Sequence, residues 1–170
     1  MYNTLRMLAQ LRKSPPMLSR LSRQLSSSGL AMKIAAPPPG FTDVIFIETG
    51  CGTDQHGQNV TKASVRAIKD AISWNSIPSL EKYVPGGNAN VKVRLQLAVP
   101  FDDCGSSEPR TPKLDMEQIE ACFAYGSLQK PISVIPGGAR FDSMCNVPAL
   151  GDSASDGSWL FAIACVTVGY

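Results

Sequence analysis

Ile47-Glu48-Thr49-Gly50-Cys51-Gly52-Thr53-Asp54-Gln55-His56-Gly57-Gln58-Asn59 is the stretch on which the fold turns. The apolar run Val44-Ile45-Phe46-Ile47 leads into it and reads as a strand covered on both faces, spanning Asp43 to Thr49. Two glycines follow, then an acid, then the only histidine of the chain. Asn59 is a helix N-cap by residue type. From Val60 to about Trp74, Val60, Ala63, Ala67 and Ala71 with Val65, Ile68 and Ile72 recur at helical spacing. The reading is strand, glycine-rich turn, helix.

Outward from that unit, Val91, Val93, Leu95, Leu97 and Val99 alternate with polar or small residues and predict a half-buried strand. Asp115 with Gln118 three residues on is a capping box for a second helix reaching about Phe123, with Met116, Ile119, Cys122 and Phe123 inward. A short strand is expected at Ile132–Ile135, closed by Pro136-Gly137-Gly138, then a loop or irregular strand over Ala139–Leu150. The last strand, Trp159–Val168, is apolar on both faces. The order predicts an α/β two-layer sandwich, a mixed sheet of about four strands with two helices on one face. Two helices cannot cover both faces of such a sheet, so a homo-oligomer is expected.

The 170 residues hold 44% hydrophobic and 18% charged side chains, a globular composition. Before Asp43 there is no acid, while Arg6, Arg12, Lys13, Arg20, Arg23 and Lys33 are basic. Residues 1–40 therefore read as a cleavable organelle-targeting leader with a proline-rich linker, mitochondrial or alternatively plastid. The single α/β domain is 41–170. The residues after the leader hold ten bases and fourteen acids, a balance that argues against a nucleic-acid surface. Five dispersed cysteines without a Cys-x-x-Cys pair suit a reducing compartment. No apolar run is long enough to span a membrane.

The site is expected at the opening stretch. His56 is the candidate acid/base, Asp54 orients it or shares a metal, and Glu48 is a second acid. Gly50, Gly52 and Gly57 leave room for a ligand, and Asn59 opens a helix whose N-terminus favours a small polar or anionic molecule. A divalent metal, if bound, would take Asp54 and His56. The bland alternative is a histidine held by Asp54 for structure alone. A non-catalytic protein whose turn builds a subunit interface is the rival class.

Gly50-x-Gly52-x-Asp54-x-His56 resembles the opening of the trimeric zinc enzymes that form the cyclic diphosphate of methylerythritol, where the Asp and His ligate zinc. Those enzymes need a second histidine, which this chain lacks. A closer resemblance spans nearly all of the part after the leader. Gly50, Gly52, Asp54, His56 and Gly57, with Asn75-Ser-Ile-Pro and Val166-Thr-Val-Gly-Tyr170, resemble an uncharacterised conserved-hypothetical family of bacteria and, with a long N-terminal prefix, plants. The resemblance implies the same site residues and no particular reaction.

Overall fold

The computed structural model describes residues 36–73, 77–102, 107, 110–153 and 156–170. The leader expected over 1–40 lies almost wholly outside them. Strand β1 runs Val44–Asp54, helix α1 Val60–Ser73, the one-turn α2 Leu80–Tyr83 and β2 Lys92–Val99. After α3 (Met116–Glu120) come β3 (Ser127–Leu128), β4 (Ser133–Pro136), β5 (Ala139–Asp142) and β6 (Ser158–Gly169). Among the described residues the fold is α/β with a mixed six-strand sheet and three helices, more of both than expected. The additions are short. β3 has two residues and β5 four, too few for alternation to reveal.

The last strand holds the sheet together. β6 lies between β1 and β2, antiparallel to both, and β5 pairs antiparallel with its first residues. β3 and β4 pair parallel with successive halves of β2. One face packs on the helices. Leu95, Leu97 and Val99 from β2, and Leu160, Ala162, Ala164 and Val166 from β6, are buried there against Ala63, Ala67, Ile68 and Ile119.

β1 outlasts its expected end. Pairing continues through both glycines to Asp54 opposite Leu160. Glycine weakens a strand by roughly 0.5–1 kcal/mol relative to alanine, so packing has to explain both. A Cβ on Gly50 would lie within 3.0 Å of the backbone of Ala67 and Ala71, and one on Gly52 within 3.0 Å of Ala63 and Ala67. Helix α1 lies directly on β1 at these two positions, brought close by its own alanines. The glycines expected to make room for a ligand make room for a helix. The true turn is shorter, Gln55–Asn59.

The opposite sheet face is bare. Ile45 and Ile47 of β1, Ile135 of β4, Phe141 of β5, and Trp159 and Ile163 of β6 are exposed, Ile47 by 61%. The double-sided apolarity of β1 and β6 is therefore real, and no element of the described chain covers the second side. Met116, expected inward, is also exposed, because α3 is a single turn and seats only Ile119 fully.

Candidate functional site

Asp54 ends β1 with its side chain fully buried. Its carboxylate lies 2.7 Å from Lys62 Nζ and 3.5 Å from Arg66 Nη1, and it accepts from Asn59 N at 2.9 Å. Arg66 also donates to Thr53 O. Lys62 and Arg66 are four apart on α1, so one helix face delivers both cations to the strand end. Asn59 Oδ1 in turn accepts from Lys62 N, the cap its residue type implies. Asp54 thus joins strand to helix. It does not orient His56.

The partner of His56 comes from 96 residues away. Asp152 Oδ2 lies 3.0 Å from His56 Nδ1. The same oxygen accepts from Val147 N at 2.8 Å, and Oδ1 accepts from Gly57 N at 2.9 Å and Gln58 Nε2 at 3.0 Å. Gly57 sits at φ +87°, and Gln58 also has positive φ, which turns this backbone toward the acid. Asp152 is covered, whereas 28% of the His56 side chain stays accessible. The Val147 amide, then His56, then the Gly57 amide hold the Asp152 carboxyl far below the usual carboxylate range. An ionised carboxylate only accepts, so Nδ1 donates to it, and in a neutral ring so held Nε2 is the nitrogen without a proton.

Beside this pair lies a polar cleft. Gly57, Gln58, Asn59, Thr61, Lys113 and Arg140 line a space of about 530 Å³ at the N-terminus of α1. It shares Gln58, Asp102 and Arg140 with an adjoining space of about 890 Å³ that reaches Gly137 and Gly138. Arg140 is held by Asp156 at 2.9 Å, Ser158 Oγ at 3.0 Å and Asp102 at 3.4 Å. His56 stands one residue back from this wall, on the strand side of Gly57.

Two expected members fall elsewhere. Glu48 lies six residues up β1 from Asp54, about 20 Å away, and lines a different cavity. The metal pair does not form either: Asp54 is spent on Lys62, Arg66 and Asn59. Among the described residues no three His, Cys, Asp or Glu side chains gather as a metal site. The donor set does not fit a divalent ion.

A family model described as "Conserved hypothetical protein (Lin0512_fam)" matches residues 44–168, from the first residue of β1 almost to the end of β6. The chain belongs to this family. Among curated proteins none matches. Among solved structures, it is similar to an FtsZ-like protein of unknown function from Nostoc punctiforme PCC 73102, at 29% identity and a TM-score of 0.60. That match covers 74% of this chain and 93% of the other. The Lin0512_fam match takes in both members of the His56–Asp152 pair.

Sequence reading missed Asp152. The small polar stretch Gly151–Ser158 offers two acids, Asp152 and Asp156, with no pattern to single out the first, and only the closing of the chain on β6 brings it to the turn. Its depressed pKa sets a pH dependence. The stabilisation is fully present above the unfolded-state carboxylate range, near 3.8, and is lost as pH falls through the lower folded value. Asp152→Asn should therefore lower the Tm at pH 7 and flatten its decline between about pH 5 and 2, followed by circular dichroism. Asp115 and Asp156 also have lowered pKa values, so some decline remains. An unchanged acid slope would mean that Asp152 is not ionised in this network.

Proposed function

We propose that this chain is an organelle-imported, oligomeric protein that binds a small polar molecule in the cleft beside the 55–59 turn, with His56 as its acid/base. The carrying observation is the His56–Asp152 pair. Three of the four hydrogen bonds to Asp152 come from Val147, Gly57 and Gln58. Gly57 and Gln58 already tie the loop to the turn, and Val147 fixes the acid within the loop. The imidazole is surplus to the tie, yet it is held in one tautomer with part of its ring accessible. That is the preparation a general base needs. Arg140, Lys113 and the first amides of α1 favour an anionic group on the ligand. Asp102 and Asp115 beside them favour a ligand that is polar overall rather than a bare polyanion. Asp54 contributes by fixing the helix start.

The experiment uses the single imidazole. Malonate and inorganic phosphate are titrated into protein prepared without a histidine tag, and the two ring nitrogens are followed by ¹⁵N NMR. Shifts that saturate, and that vanish in Arg140→Ala, support the reading. Unmoved nitrogens with both probes count against it.

The second reading, a non-catalytic assembly, is favoured by the bare sheet face. A face four strands wide and about ten residues long covers roughly 600 Å², near the ~800 Å² each partner buries in a standard interface. That observation supports oligomerisation and does not compete with the cleft. The exposed residues of that face lie on the side of the sheet away from α1.

A further inference from the structure

The glycine packing has a corollary at the other end of β1. Phe46, Glu48, Gly50, Gly52 and Asp54 alternate onto the helix-bearing face. α1 covers Gly50 with Ala67 and Ala71, and it ends at Ser73. Glu48, two residues further back, therefore lies where the helix runs out. A cavity of about 350 Å³ opens there, at the small end of ligand-sized pockets. Its walls are apolar: Phe46, Ile72, Val93, Phe123 and Val166 among them. Tyr125 stands at the cavity with 89% of its surface exposed.

Among the described residues Glu48 is the one carboxylate in that wall, and no lysine, arginine or histidine lines the cavity. Among the described residues Glu48 has neither a hydrogen bond nor an ion pair. A half-buried carboxylate without a partner gives up hydration with no return. Two further facts carry the same sign. The C-terminus of a helix bears partial negative charge, and the last turn of α1, which supplies Ile72 to the wall, has no basic residue. Cys122 is also in the wall, and burial raises its thiol pKa, so it remains neutral. Lys69 acts on Cys122 from outside the lining.

We infer that this cavity is a binding site for a small organic cation, an ammonium on an apolar body, with the charge on Glu48 and the body against Phe46, Val93 and Phe123. It is separate from the His56 cleft and stands whether or not that reading holds.

Three probes of one shape test it: 2-phenylethylammonium, 2-phenylethanol and 3-phenylpropionate, each titrated into the full chain by calorimetry. The ammonium should bind at least about tenfold more tightly than the alcohol, and the carboxylate should bind most weakly. Glu48→Gln should erase the preference for the ammonium while leaving the alcohol unchanged. Ala124→Trp, which adds bulk to a wall residue at the exposed side, should weaken ammonium and alcohol alike. If no probe binds, if the three bind equally, or if Glu48→Gln keeps the ammonium preference, the inference is overturned. Should Glu48→Gln fail to fold, the ranking of probes on the wild type and on Ala124→Trp decides alone.

Discussion

Gly52→Ala should destabilise the protein by about 3 kcal/mol or more, although alanine is the better strand residue. Local propensity favours the change by roughly 0.5–1 kcal/mol. Against it, the added carbon lies within 3.0 Å of Ala63 O, Ala67 N and the Arg66 side chain. Two of these are helix backbone, which cannot rotate away. α1 must lift off β1 or shift along it, and either movement opens the contacts of its Ala63, Ala67 and Ile68 with Leu160 and Ala162 of β6. Overpacking of a close-packed core costs typically 1–3 kcal/mol, and a clash with rigid backbone belongs at the top of that range. Asp54 would suffer too, since Lys62 and Arg66 ride on the same helix. Chemical denaturation measures the loss. Lys69→Ala is the control, because Lys69 is exposed on α1, and it should change stability by less than about 0.5 kcal/mol. A neutral Gly52→Ala would refute close seating of the helix.

The second large effect is on assembly. Ile47 and Ile163 are exposed on β1 and β6 of the bare face, and Ile163 pairs in register with Cys51. Ile47→Glu with Ile163→Glu should convert the proposed oligomer to a monomer. Each buried isoleucine contributes roughly 1.5–3 kcal/mol, and each glutamate would have to leave water beside its neighbours. Together they should weaken association by more than about a thousandfold. Fold should survive, since neither side chain touches the helix-side core. Light scattering of wild type and double variant decides the matter. A wild-type monomer at micromolar concentration would contradict the proposed assembly.

The sheet was legible where a single physical requirement shaped many residues. Alternation along Val91–Val99 reported β2, and double-sided apolarity reported β1 and β6 together with the uncovered face. The Asp115 capping box reported the start of α3, where Gln118 N donates to Asp115 Oδ1. Short elements escaped because two or four residues carry no period. Gly50 and Gly52 were read as space for a ligand because absence of a side chain looks the same whatever fills the gap. Only the position of Ala63, Ala67 and Ala71 shows that a helix does.

The site was half legible for a related reason. A turn with one histidine could be found by residue type. Its partner could not, because two acids stood near in sequence and the one that mattered stood 96 residues off. Asp54 looked like the orienting acid from spacing alone, yet two cations on α1 claim it. Glu48 looked like part of the same site because it is close in sequence, but a strand carries six residues about 20 Å.

The single histidine makes the central claim directly measurable. Long-range ¹H–¹⁵N correlation of the untagged protein at neutral pH reports which ring nitrogen bears the proton, without assignment ambiguity. The paired geometry with Asp152 predicts a protonated Nδ1 and a bare Nε2, with that preference lost in Asp152→Ala. A ring protonated at Nε2, or averaging between tautomers as a free imidazole does, would contradict it.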